Sequence, residues 1–264
     1  GNLNEPITLR GHSAAVNALA MSRDGHLLIS AGRDGTARLW NLRGDTIAPS
    51  PVPEGSTTLL SADKSLQAGQ AAVFAVAVSP THDKLAAGTP TRLVLFDLVT
   101  GTELASAAWN TVFDGEGTNS LIGLAFSPDG KTLAAGSAIG TLAFVDADTL
   151  KRLKPLARPH TQQIWRTAFA LNGTVLVTGG GFGDGVAISD AASGRVLTKF
   201  AAIEGSFPSQ PLAVSPNGQW LAVGSPAQFV VVRDLASGQV VARSPQKVRF
   251  LHAVTFSPDG KRVA

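Results

Sequence analysis

With 264 residues, 44% of them hydrophobic, the chain can bury a large core, and its lack of cysteine excludes disulfide frameworks, thiolate catalysis and cysteine-ligated zinc. The net charge of +3 comes with no Lys/Arg cluster denser than Leu150 to Arg158, so composition points to a mildly basic surface and away from a nucleic-acid footprint. No apolar run reaches the roughly 18 residues of a membrane helix, so no membrane insertion is expected; the compartment stays open between cytoplasm and periplasm. The 28 glycines and 15 prolines punctuate short Val/Ala/Leu runs, which favours many strands over helices. Ala/Gly richness without tyrosine suggests a prokaryotic origin.

In chain order, the first ten residues carry "PITLR", suited to an edge strand. "VNALAM" from Val16 alternates as a strand, turns through "SRDG", and returns as "HLLIS". A second turn, "GRDG", leads into "TARLWN", ending at Asn41. The same phrase recurs from Ala77 ("AVSPTHDKLAA"), Ala125 ("AFSPDGKTLAAG"), Ala168 ("AFALNGTVLVTG"), Ala213 ("AVSPNGQWLAVG") and Thr255 ("TFSPDGKRVA"). Third strands follow in "RLVLFDL", "TLAFVDA", "VAISDA" and "FVVVRDL", and fourth strands such as "RVLTKF" and "QVVARS" close the units. From Gly130 the turn glycines recur at Gly173, Gly218 and Gly260, the period of about 40 to 45 residues expected of a four-stranded propeller blade.

The fold class is therefore all-β: a β-propeller of four-stranded antiparallel blades in a single domain over residues 1–264. Six blades are begun, near residues 13, 71, 119, 162, 208 and 250. The sixth unit stops at "KRVA", so the segment is expected to be part of a ring of six or seven blades, with residues 1–10 as the outer strand of the closing blade.

These residues resemble the tryptophan-aspartate (WD) repeat β-propellers. "LRGH" from Leu9, the "SPDG" turns, "DGT" from Asp34 and the "LWN" and "LFD" strand ends are that family's punctuation. Only the first unit keeps both Gly-His and Trp; Phe96, Val145, Ser189 and Arg233 stand at the Trp position later, so the array is degenerate. The resemblance implies a buried hydrogen-bond network through His12, Ser30, Asp34 and Trp40, with a partial copy at His160, Thr178 and Asp184. No Gly-x-Ser-x-Gly elbow surrounds Ser30, which favours the structural network over a catalytic reading of the His, Ser and Asp.

No catalytic residue, metal site or cofactor is assigned. The histidines show no metal-ligand spacing, and "GGGFGDG" from Gly179 leads into a strand, with no helix N-terminus to hold a phosphate. Function in such a fold lies on the rims and channel. The second position of each first strand reads Asn17, Phe74, Ile122, Trp165, Gln210 and His252 through the copies. Phe74, Ile122 and Trp165 form an apolar arc near the channel entrance, with ordinary strand-start core as the alternative. Trp109 and Phe113, Arg158, Gln163 and Arg166, and Arg33 complete a candidate rim for an extended segment with apolar anchors and an acidic residue. The expected function is a non-catalytic protein- or peptide-binding scaffold or sensor within a larger complex. The alternative is a propeller enzyme or electron-transfer module whose catalytic or haem-bearing part lies outside this segment.

Overall fold

The computed structural model describes residues 8–22, 24–42, 59–61, 64–68, 71–115, 121–181, 183–200, 212–224, 229–247 and 254–264. Five antiparallel sheets follow one another, each with its first strand innermost. The first contains Val16–Met21, Leu27–Gly32, Thr36–Asn41 and Lys64–Gln67; the second Ala75–Val78, Lys84–Gly88, Arg92–Asp97 and Glu103–Ala108. The third contains Leu121–Phe126, Thr132–Ser137 and Leu142–Asp146. The fourth runs Ile164–Ala170, Val175–Gly180, Val186–Asp190 and Val196–Phe200, and the fifth Leu212–Val214, Trp220–Gly224, Val230–Asp234 and Val240–Arg243. Each first strand contacts the first strand of the next sheet, which arranges the five as successive blades around a channel. Of the sixth unit, the described residues hold the Phe256↔Val263 bridge.

The burial gradient across a blade follows from this arrangement. Second and third strands are covered by a neighbouring blade on both faces, so "KLAAG" and "RLVLFD" are nearly continuously apolar and buried, whereas outer strands such as "VVAR" are exposed along their length. One apolar cluster fills each gap between blades: Ile29, Leu39, Leu85 and Phe96 between the first two, and Leu142, Phe144, Ile164 and Leu176 between the third and fourth. Each fully buried Leu, Ile or Phe there contributes about 1.5 to 3 kcal/mol of transfer free energy. Small residues occupy the second strands because neighbouring blades approach closely; a Cβ on Gly136 would stand 2.6 Å from Ile164 Cγ2.

Two turns recur at the blades' far ends. At the first hairpin, a serine hydroxyl donates to the aspartate two residues on and accepts the backbone N–H five residues on, as in Ser127, Asp129 and Thr132. Ser22, Ser215 and Ser257 repeat it, with Asn217 replacing the aspartate once. After the third strand, Asp97, Asp146, Asp190 and Asp234 each accept the N–H and hydroxyl of the Thr or Ser three residues on.

Those bonds set an acid response. A hydroxyl, followed by backbone N–H groups, holds Asp129, Asp146, Asp190, Asp234 and Asp259 below the ordinary value of 3.8. A carboxylate depressed in the folded state adds stability that is complete above its unfolded pKa and lost as pH falls toward its folded one. The urea midpoint is expected to stay level from about pH 7 to 5 and to decline progressively below about pH 4. A midpoint independent of pH down to about 2 would contradict this.

The third blade departs from the four-stranded expectation. Its outer position is held by isolated bridges, Leu142↔Ala157 and Val145↔Arg152, because Pro155 and Pro159 have no N–H to give to a ladder. Lys154 crosses to the fourth blade instead, donating to the carbonyls of Ala191 and Ala192, with its ammonium 4.1 Å above the Phe144 ring. Thr8–Arg10, expected in a closing blade, runs parallel to Leu59–Ser61 in the register Thr8↔Leu59. Among the described residues the two form a separate two-stranded sheet, and Thr8–Arg10 makes no pairing with the sixth unit.

Candidate functional site

The first blade's polar residues come together where its second strand meets the "GRDG" turn. His12 reaches Asp34 Oδ2 through Nδ1 at 2.8 Å and Ser30 Oγ through Nε2 at 2.7 Å, and the Trp40 indole N–H donates to the same Ser30 oxygen at 2.8 Å. With Nδ1 donating to the carboxylate, Nε2 accepts the Ser30 hydroxyl, and each group is satisfied. Asp34 also accepts the Thr36 hydroxyl at 2.8 Å and the backbone N–H groups of Thr36 and Ser13. Thr36 was legible as the third letter of "DGT" but absent from the sequence assignment. Burial alone would raise the Asp34 pKa; the bonds from Thr36, His12 and Ser13 more than offset it and lower the value from 3.8 to about 2. That shift contributes about 2 kcal/mol above pH 4, lost as pH falls toward 2.

Ser30 is 4% exposed and its oxygen is engaged on both sides, so the cluster presents no free nucleophile. The fourth blade holds a looser copy. His160 Nε2 lies 2.9 Å from Thr178 Oγ1, but Nδ1 is 3.5 Å from Asp184 Oδ2, which instead accepts the Thr161 and Gln162 N–H groups. Burial lowers the His160 pKa, with Asp184 partly opposing it. Ser189 stands where the indole would be, and its hydroxyl is buried without a hydrogen-bond partner.

The channel end reached by the joining loops carries a cavity of about 470 Å³. Asn17, Phe74, Ile122 and Trp165 all line it, one from each of the first four blades, with Arg166, Thr167 and Leu124 among their neighbours. Phe74, Ile122 and Trp165 are each half-buried, so their rings and side chains keep a face toward the cavity. Asn17 is fixed by its amide donating to the Val73 carbonyl at 2.9 Å. Arg33 and Arg158 are exposed on loops at this end, and Gln163 is half-buried beside the fourth inner strand. His252, like Gln210, lies outside the described residues.

Trp109 and Phe113 do not belong to this rim. After the second blade's outer strand the chain forms a short helix, Trp109–Val112, which places residues four apart on one side. The rings stack with centroids 4.1 Å apart, 5% and 0% exposed, in the apolar cluster between the second and third blades. The i, i+4 spacing in "WNTVF" was the signal that a loop reading passed over. Trp109→Ala is expected to cost about 3 to 5 kcal/mol in stability, read by urea unfolding; a change under about 1 kcal/mol would place the ring outside the core.

Asp114, which the sequence sets near Glu116 in one loop, is paired with Arg152 at 2.6 Å. Among the described residues no three His, Asp or Glu side chains gather as a metal site, and no helix is long and apolar enough to cross a membrane.

Solved structures share this architecture. A chain of the mitotic checkpoint complex superposes with a TM-score of 0.74 at 19% identity, over 96% of this chain and 72% of that one. The β-propeller domain of Cps50 (Swd1) from Myceliophteria thermophila gives 0.70 at 17% identity, over 95% and 79%. The family model described as "WD domain, G-beta repeat" matches residues 4–41 and 104–141. The fold is that of a WD-repeat β-propeller.

The WD-repeat propeller is similar in sequence to the small ribosomal subunit protein RACK1 of Schizosaccharomyces pombe, 34% identical over 48% of this chain and 36% of that protein. It is 24% identical to THO complex subunit 3 of Arabidopsis thaliana over 97% of this chain and 74% of that protein, and 26% identical to the guanine nucleotide-binding protein subunit beta-1 of Nicotiana tabacum over 85% and 60%. The chain thus spans about a third of the first of these proteins and three quarters of the second. All three sources are eukaryotic, so the prokaryotic origin suggested by composition gains no support from them.

Proposed function

We propose that this WD-repeat propeller is a non-catalytic scaffold that binds a protein or peptide partner at the joining-loop end of its channel, as a subunit of a larger complex. The observation that carries the reading is the convergence of Phe74, Ile122 and Trp165 on one accessible concavity. Half-buried aromatic and aliphatic groups around a concave site are what a hot spot on a partner packs against. Relatives named as a ribosomal subunit protein, a THO complex subunit and a G-protein subunit fit a part played in assemblies.

Affinity capture from the native source tests this, with the full-length protein compared against a Phe74→Ala/Trp165→Ala variant and quantified by mass spectrometry. A defined set of proteins retained by the wild type and depleted about tenfold or more by the variant is the expected result, since each hot-spot truncation costs upward of about 1 to 2 kcal/mol. Equal recovery of every partner by both proteins would remove the channel from the interface.

A further inference from the structure

Among the described residues, charged groups differ between the two ends of the channel. The turn aspartates Asp129, Asp146, Asp190 and Asp234 sit at the far end of the blades, away from the cavity. At the joining-loop end the described carboxylates are already engaged: Asp34 by His12 and Thr36, Asp114 by Arg152, and Asp184 by the Thr161 and Gln162 amides. Arg166 is not matched in the same way. It carries the only formal charge among the described residues lining the cavity, and among the described residues its guanidinium has neither an ion pair nor a hydrogen bond. Arg166 is exposed at the cavity mouth, and the walls around it still desolvate it enough to lower its pKa, with no carboxylate opposing this.

An accessible guanidinium at the edge of an apolar concavity gains from an oxyanion that arrives with its own apolar flank, because the planar fork gives two parallel N–H bonds to a carboxylate or phosphate. We infer that the cavity takes an acidic side chain of an extended partner segment at Arg166, with an adjacent apolar residue of that segment against Phe74, Ile122 and Trp165. This rests on the reading of the cavity as the partner site and adds the chemistry of what it receives. The charge on Arg166 also attracts an acidic segment toward the channel before contact.

The test selects a randomised seven-residue peptide library against the full-length protein and measures the enriched peptides by titration. Enriched peptides are expected to carry Asp or Glu within two positions of an apolar residue. Binding falls about tenfold or more in Arg166→Glu, less in Arg166→Lys, and weakens as salt is raised. Replacing the acidic residue by phosphoserine separates the two oxyanion sources: tighter binding assigns phosphate, equal or weaker binding assigns carboxylate. Enriched peptides without acid, or affinity unchanged by Arg166→Glu, overturn the acidic assignment; if Trp165→Ala still weakens them, the cavity remains the partner site. Enrichment of nothing, or of peptides indifferent to both substitutions, removes the site as well.

Discussion

Asp34→Ala is expected to lower the unfolding free energy by about 3 kcal/mol or more. The carboxylate accepts from the His12 ring, the Thr36 hydroxyl and two backbone N–H groups, and alanine leaves these donors without an acceptor. The loss propagates, because His12 orients Ser30, and Ser30 holds the Trp40 indole. Asp259→Ala is the matched control: its turn bonds are exposed to water, so its cost is expected to be clearly smaller than that of Asp34→Ala. Urea unfolding at pH 7 reads both, and equal costs would show that the first blade's network contributes no more than a surface turn. As pH falls toward 2 the gap between wild type and Asp34→Ala should narrow by about 2 kcal/mol, because the wild-type carboxylate is then being protonated and the alanine variant has none to lose.

Gly140→Ala is expected to cost about 3 kcal/mol or more, through backbone geometry. Gly140 has φ +81°, and a Cβ there would stand 2.2 Å from the His160 carbonyl oxygen and 2.6 Å from its carbon. Both atoms are backbone of the strand-joining segment of the next blade, so no side chain can rotate away. The left-handed penalty of about 1 to 2 kcal/mol is therefore joined by an overpacking term of similar size. Gly25→Ala separates the two, since Gly25 has φ +73° with nothing within 4 Å of the added carbon. A Gly140→Ala cost no larger than that of Gly25→Ala would mean that the third and fourth blades part without penalty.

Much of this architecture is written locally. Turn glycines at a blade's period, hydrophobic runs that alternate on first strands and are continuous on second strands, and the Asp at the ends of third strands are short-range features, and each reappears as a strand or a capped turn. Taking one position through all the copies was enough to bring Asn17, Phe74, Ile122 and Trp165 to one cavity, because the repeat turns sequence register into position around the axis. What local reading missed depends on long-range contacts. Trp109 and Phe113 look like loop residues until the short helix packs them between blades, and the third blade's outer strand dissolves because of its prolines and the reach of Lys154 to Ala192. The pairing of Thr8–Arg10 with Leu59–Ser61 joins segments about fifty residues apart and has no signature in either.

Hydrogen–deuterium exchange on the full-length protein, with and without its captured partner, tests most directly whether the channel end is the binding surface. Protection is expected to concentrate on the cavity strands around Val16 to Leu19, Phe74 to Val76, Ile122 to Leu124 and Trp165 to Thr167, with the exposed outer strands Val196–Phe200 and Val240–Arg243 unchanged. Protection confined to those outer strands or to the far-end turns, with the cavity strands exchanging as before, would contradict it.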